Sequence, residues 1–168
     1  MSNAFVYLRP LNVTFIRVQG PYATAAAEAW ERVFHWLDKS GTRRAAGCGY
    51  GLMLDDPRTT PAGKCRYDAC IEMLDDYHDI ISRDFGFRRL PGGAYARRRH
   101  VGPANGGITG VVSSLREEWA PQNGLLIDTK RPVIEIYLDD PAKIAAEKRR
   151  VDICLPVLAG VRSEAPAA

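Results

Sequence analysis

The sequence lacks long apolar runs, low-complexity tracts and paired cysteine motifs, and each absence argues against a class of protein. No run approaches the roughly 20 apolar residues that span a bilayer, and the start lacks a signal-peptide pattern, so we predict a cytoplasmic protein without a membrane partner. The four cysteines have neither CxxC spacing nor a nearby histidine pair, so we expect no metal site and no cofactor. With 168 residues, 46% of them hydrophobic, residues 1–168 are predicted to form a single domain.

The sequence also lacks a large excess of positive or negative charge. The net charge of +3 is too small to predict nucleic-acid binding by itself. The single basic run is Arg97-Arg98-Arg99-His100, and strand geometry would send its alternate members to opposite faces. We interpret this run as a solvated strand, with phosphate or partner binding as the alternative.

What the sequence does contain is an internal repeat. Residues 50–73 align without a gap on residues 134–157 at an offset of 84, and nine of these 24 positions are identical. Composition alone would give roughly one or two identities. The sequence therefore predicts a tandem duplication, with copy one over residues 5–73, a linker over 74–86, copy two over 87–158 and a flexible tail over 159–168.

Each copy is predicted to be a β-α-β-β unit with a short lead-in strand before it, at 5–8 in copy one and at 87–90 in copy two. In copy one, the pattern predicts strands at 5–8, 13–18, 50–54 and 66–73, and a helix at 22–39. In copy two, it predicts strands at 87–90, 95–100, 133–138 and 151–157, and a glycine-rich helix near 107–119. The predicted fold class is α+β, with antiparallel sheets side by side, helices packed on one face and a pseudo-twofold cleft between the copies.

Glu135 interrupts the apolar strand of copy two. Alternation places Ile134 and Ile136 on a face assigned to the core, and Glu135 and Tyr137 on the opposite face. Copy one has Gly51 at the position of Glu135, which leaves room in one half where the other presents a carboxylate. Because a dry, unpaired carboxylate is costly, Glu135 should point at water or at a ligand. Two interpretations stay open: a solvated strand residue, or a carboxylate in an aromatic-walled cleft that binds a cation or acts as a general acid or base.

Aromatic side chains that could line such a cleft attract cations through their faces. The candidate ligand-binding residues are Glu135, Tyr137, Tyr67, Trp36, Trp119, Gly51 and Met53. Trp36 lies just off the apolar stripe of the first helix. Trp30 and Phe34 lie on that stripe and are predicted to be core residues.

Several short motifs, taken in order, are similar to those of a known family. They are Gly20-Pro21 before a helix with Trp36, Tyr50 to Pro57, Thr60-Pro61, Lys64 to Asp68, Gly92 to Ala96, Val101-Gly102-Pro103, Arg131 to Asp140 and Val151 to Val157. Together they cover nearly the whole chain. The chain resembles the GyrI-like small-molecule-binding domain of the gyrase-inhibitory protein family, which is also the effector-binding domain of AraC-type and MerR-type transcription regulators.

The resemblance implies a ligand pocket where the two copies meet, with the family glutamate at Glu135. Three functions stay open. The first is a stand-alone protein that binds a lipophilic, often cationic small molecule. The second is a gyrase-inhibitor-like protein with a topoisomerase as its partner, and the third is a hydrolase of strained, electrophilic toxic molecules with Glu135 as its catalytic residue. Because the chain leaves no residues for a helix-turn-helix segment, direct DNA binding is not expected.

Overall fold

The computed structural model describes residues 2–43, 46–73, 85–103 and 107–158. The predicted tail and nearly all of the predicted linker lie outside these ranges. The strands are β1 (Asn3–Leu8), β2 (Leu11–Gln19), β3 (Ala46–Met53), β4 (Arg66–Met73), β5 (Gly86–Leu90), β6 (Gly93–Val101), β7 (Leu126–Ile127), β8 (Val133–Tyr137) and β9 (Arg150–Leu158). The helices are α1 (Tyr22–Ser40) and α2 (Gly107–Ser114), and a π-helical segment (Leu115–Trp119) joins α2 to the short α3 (Ala120–Gln122). None of the described helices combines the length and the apolar composition needed to cross a membrane.

Helix α1 follows the predicted pattern because its buried residues recur every four positions. They are Ala25, Ala29, Val33 and Leu37. The helix begins after Pro21 and ends at Gly41, whose φ of 69° is a left-handed conformation that glycine adopts without strain. The buried stripe therefore packs one face of α1 against the sheet. Gly41 ends the helix, and the chain continues toward β3.

One continuous antiparallel sheet carries both copies, in the order β1-β6-β9-β8-β3-β4-β2-β5, with β7 added to β9. The prediction of antiparallel strands with helices on one face is confirmed, but the copies do not form two separate sheets. Strands β3 and β8 pair directly, with Gly51 opposite Glu135, and this pairing joins the copies. The two positions that the repeat makes equivalent are thus direct neighbours at the centre of the sheet.

The two ends of the sheet belong to one long two-stranded ladder. Leu8 lies opposite Gly93 in the β1–β6 pair, and Leu11 lies opposite Leu90 in the β2–β5 pair. The two pairs therefore share one register, with a break at residues 9–10 on one strand and 91–92 on the other. Because only two residues separate β1 from β2, the sheet must curl so that its ends approach each other. The curl covers the face of the sheet that lies opposite the helices.

The curl explains why both faces of the central strands are buried. On the helix side, Tyr67, Ala69 and Ile153 pack beneath α1 and α2. On the other side, Leu52 and Ile134 belong to a second apolar cluster. The prediction that the Ile134 face alone forms the core is therefore wrong, because the helices cover the face of Glu135 and the curled ladder covers the face of Ile134.

The two hairpins share a register. Leu52 lies opposite Asp68 in the β3–β4 pair, and Ile136, 84 residues later, lies opposite Asp152 in the β8–β9 pair. Corresponding ion pairs close the two turns: Arg66–Asp55 at 2.8 Å and Arg150–Asp139 at 2.7 Å. These correspondences support the duplication inferred from the sequence.

Candidate functional site

The carboxylate of Glu135 lies at the centre of the sheet and is 3% exposed. Its Oε2 accepts hydrogen bonds from the Tyr67 hydroxyl at 2.7 Å and from the Tyr137 hydroxyl at 2.6 Å. Tyr67 comes from β4 in copy one, while Tyr137 comes from the same strand as Glu135. The group is therefore assembled from both copies, where β3 and β8 join them.

Two glycines of β3 make room for this group. A Cβ atom at Gly51 would overlap the Tyr67 hydroxyl and the Glu135 carboxylate. A Cβ atom at Gly49 would lie 2.8 Å from Cη2 of Trp30, which is also too close. The room predicted at Gly51 is real, and side chains of the site occupy it.

Trp30 completes the group from α1. Its indole Nε1 donates a hydrogen bond to the Tyr67 hydroxyl at 3.1 Å, and its ring meets that of Tyr137 edge-on with centroids 5.0 Å apart. Sequence reasoning assigned Trp30 to the core and missed this role. Trp36, the predicted candidate on this helix, instead packs against Phe85 with ring centroids 4.8 Å apart.

The remaining candidates line the same helix-side core. Met53 is 5% exposed and lies two residues beyond Gly51 on the same face of β3. Trp119 is half-buried against this core at the end of the π-helical segment. The structure thus joins Gly51, Tyr67 and Tyr137 to Glu135 directly, and places Met53 and Trp119 on the same side of the sheet.

Burial dominates the electrostatics of the group. It raises the pKa of the Glu135 carboxyl, and the hydrogen bonds from Tyr137 and Tyr67 partly oppose this rise. The pKa values of Tyr67 and Tyr137 also lie well above the ordinary phenol value, because of burial and then of the nearby Glu135 charge. Both phenols therefore keep their protons and remain hydrogen-bond donors at neutral pH.

The buried carboxylates of the described chain differ in their partners. Asp68 is paired with Arg17 and Arg88, and Asp152 with Arg97 and Arg99. Among the described residues, no arginine or lysine nitrogen lies within 4.0 Å of the Glu135 carboxylate. Glu135 is thus held by neutral donors where the other two are neutralised by cations.

The basic run on β6 alternates between faces, as predicted. Arg97 and Arg99 reach Asp152 at 3.4 and 2.7 Å, whereas the Arg98 Nε donates to Asn3 Oδ1 at 2.5 Å. His100 lies 3.2 Å from the carbonyl oxygen of Pro103. Each member of the run thus has a polar neighbour within the chain, although the buried Arg97 Nε itself has no hydrogen-bond partner among the described residues.

A cavity of about 290 Å³ lies on the opposite face of the sheet from Glu135. Its lining residues are Leu8, Arg9, Pro10, Leu11, Tyr50, Glu72, Leu90, Pro91, Ile134 and Ile136. The break in the long ladder forms one wall of it. Tyr67, Glu135 and Tyr137 take no part in this cavity.

Comparison with known proteins places this architecture among small-molecule-binding domains. Residues 1–158 match the family model described as the GyrI-like small molecule binding domain. The chain therefore belongs to the GyrI-like family, as its motifs predicted.

The chain is similar to a curated protein and to several solved structures. The probable transcriptional regulator YgiV of Escherichia coli K12 is 28% identical over 111 residues, which are 64% of this chain and 66%, just under two thirds, of that protein. The crystal structure of the EcmrR C-terminal domain has a TM-score of 0.71 at 16% identity and covers 94% of this chain and 97% of its own. The structure of SAV2435 bound to tetraphenylphosphonium has a TM-score of 0.62 at 16% identity, with 95% of each chain covered. The topoisomerase partner and the hydrolase activity stay predictions.

Proposed function

We propose that this protein binds a lipophilic cation, with the Glu135 carboxylate as the counter-charge. The observation that carries this proposal is a carboxylate that is 3% exposed and held by two phenol hydroxyls. Burying a negative charge without a positive partner is costly. A bound cation would supply that partner, so part of the binding free energy comes from relieving the cost.

The side chains around the carboxylate suit such a ligand. The rings of Trp30, Tyr67 and Tyr137 offer faces to which cations are attracted, and neutral phenols do not repel them. Tetraphenylphosphonium, which is bound to the structurally similar SAV2435, combines a single positive charge with a large apolar surface. We expect the same chemical class of ligand at Glu135.

Binding is coupled to a side-chain rearrangement. The indole of Trp30 packs on Tyr137 and donates a hydrogen bond to Tyr67, so aromatic side chains fill the space next to the carboxylate. Trp30 is half-buried and lies on α1, whose other face is exposed. A ligand would displace the indole and take over its contacts, which makes the open form a minor state that the ligand selects.

The test is thermal unfolding with and without tetraphenylphosphonium. A ligand that binds the folded state raises Tm, and at a concentration about 100 times Kd the gain of about 2.7 kcal/mol amounts to several degrees for a domain of this size. The Glu135→Gln variant, which keeps the shape but not the charge, should lose most of this shift. Glu28→Gln removes an equal charge from the exposed face of α1 and should keep it. No shift for the wild-type protein, or an equal shift for Glu135→Gln, would contradict the proposal.

The pKa of Glu135 gives the same proposal a pH dependence. Because burial raises this pKa, the folded state holds the proton more tightly than the unfolded chain, and the cost of the ionised carboxylate disappears as the pH falls through the raised pKa. Affinity for the cation should therefore fall on acidification over the same range. Because Gln carries no buried charge, Glu135→Gln without ligand should melt at or above the wild-type Tm at neutral pH. A lost Tm shift in this variant would then reflect lost binding and not lost folding.

A further inference from the structure

The cavity on the face opposite Glu135 lies where the long ladder is interrupted. Pro10 and Pro91 have no backbone N–H to donate, so they interrupt the pairing of strands within a sheet. Gly92 lets the two interrupting segments meet, because a Cβ atom there would lie 2.6 Å from Cδ of Pro10 and 2.9 Å from the carbonyl oxygen of Leu8. These segments form one wall of the cavity, and β3 and β8 contribute to the other.

Hydrogen bonds hold the wall at the break in place. The hydroxyl of the fully buried Tyr95 donates to the carbonyl oxygen of Pro91 at 3.0 Å. Arg131 donates to the carbonyl oxygens of Gly92 at 3.0 Å and Ala94 at 3.1 Å, and its guanidinium lies over the Tyr95 ring, 4.7 Å from the centroid. Because these contacts fix the backbone on one side and the sheet fixes it on the other, the cavity is preformed, as small-molecule sites usually are.

The lining favours an apolar ligand without net charge. Seven of the ten described residues that line the cavity are leucine, isoleucine or proline. The charged residues of this lining are Arg9 and Glu72, one of each sign, so a charged ligand would be attracted by one and repelled by the other. The remaining polar residue is Tyr50, which is half-buried. Burial, followed by the nearby Cys48 and Glu72, raises the pKa of Tyr50 to about 12, so its hydroxyl keeps its proton at neutral pH.

We propose that this cavity is a second binding site, which takes a small uncharged molecule of mainly apolar surface, about the size of two fused aromatic rings. Its volume of about 290 Å³ is about twice the roughly 150 Å³ of an apolar protein cavity that accepts benzene. A hydroxyl group on the ligand would pair with that of Tyr50, since a few polar groups fix the orientation of a ligand in an apolar pocket. The site does not rest on the cation proposed at Glu135, because Ile134 and Ile136 point to the opposite face of β8.

Three naphthalene derivatives test the class of ligand. At neutral pH 2-naphthol is uncharged, whereas 2-naphthoate and 2-naphthylmethylammonium carry a negative and a positive charge on the same ring system. In isothermal titration calorimetry, 2-naphthol should bind several-fold more tightly than either charged analogue. Arg9→Gln should improve binding of the ammonium compound, and Glu72→Gln that of the carboxylate, because each variant leaves a single charge in the lining. Equal affinity for the three compounds, or no binding of 2-naphthol, overturns the proposal.

Cavity-filling variants test the location. Ile136→Trp adds a large ring from the sheet and Leu11→Trp adds one from the ladder, and each should abolish 2-naphthol binding. Because the two variants fill the cavity from different walls, either one that melts as a folded protein is a sufficient test. The matched control is Leu126→Trp, which places the same side chain at a residue 40% exposed on β7, outside the lining, and should bind as wild type.

The Glu135→Gln variant separates this site from the one proposed for the cation. It should keep the wild-type affinity for 2-naphthol even where it loses the Tm shift caused by tetraphenylphosphonium. Binding of 2-naphthol that Glu135→Gln abolishes, or that survives both cavity-filling variants, overturns the assignment to this cavity.

Discussion

At the scale of single residues, Glu135 and Gly51 depend on each other. The carboxylate and the Tyr67 hydroxyl occupy the volume that a side chain at position 51 would fill. The backbone of Gly51 pairs with that of Glu135 in the β3–β8 ladder, so neither residue can move away without breaking the sheet. Glycine at this position is therefore required by the site, since its strand conformation would accept any residue.

Gly51→Ala should damage both folding and binding. The added methyl group would force the Tyr67 hydroxyl and the Glu135 carboxylate apart, and overpacking of a well-packed core costs about 1–3 kcal/mol. The measurements are the free energy of unfolding in urea and the rise in Tm caused by tetraphenylphosphonium. Both values should be lower than for the wild-type protein. Gly110→Ala is the control: it lies on the exposed side of α2 with no atom within 4 Å of the added Cβ, and it should leave both unchanged or slightly improved. A neutral result for Gly51→Ala would mean that the site relaxes easily.

Trp30 and Trp36 show what sequence patterning misses at this scale. Both belong to α1, and the apolar stripe correctly indicates that Trp30 faces the sheet. A ligand expected on the side away from the core favours Trp36, which lies off the stripe, over Trp30, which lies on it. A helix packs its stripe against whatever the sheet presents, and here the sheet presents Tyr67 and Tyr137.

At the scale of elements, the strands were easier to predict than their surroundings. The predicted bounds of β4 agree with the structure, and those of β8 and of α1 differ by one residue. The short β7 carries no distinct hydrophobic period and is not predicted, and the helix predicted near 107–119 covers Leu115–Trp119 without indicating its π-helical geometry. The assignment of one core face also failed, because strand alternation separates two faces but does not tell which face the helices will cover.

Asp68 forms ion pairs that link three strands, and its replacement should lower the free energy of unfolding. Its carboxylate is fully buried on β4 and holds Arg17 of β2, at 2.7 Å, and Arg88 of β5. Breaking a buried ion pair costs 3–5 kcal/mol, but both arginines remain partly hydrated, so Asp68→Asn should lose about 2 kcal/mol in chemical unfolding. Asp38→Asn breaks an ion pair with Arg43 in which both side chains are exposed, and it should change stability by less than about 0.5 kcal/mol. Equal losses for the two variants would contradict a special role for burial.

At the scale of the whole molecule, the symmetry of the two hairpins ends at the site. Position 51 faces position 135 across the β3–β8 pair, so the axis that relates the hairpins passes between them. Under the same offset of 84, Met53 corresponds to Tyr137, and Tyr67 corresponds to Val151. In each of these three equivalent pairs, one position therefore carries the carboxylate or a phenol, while the other carries glycine, methionine or valine.

This asymmetry predicts one cationic ligand per chain. A symmetric duplication would offer two equivalent sites, but of positions 51 and 135, which face each other across the axis, only Glu135 carries a charge. Isothermal titration calorimetry with tetraphenylphosphonium should therefore give a stoichiometry of one per chain. The Glu135→Gln variant should show no binding isotherm for this site and no second one in its place. Two equal sites per chain would place binding elsewhere, with the cavity on the opposite face as the first position to examine by Ile136→Trp.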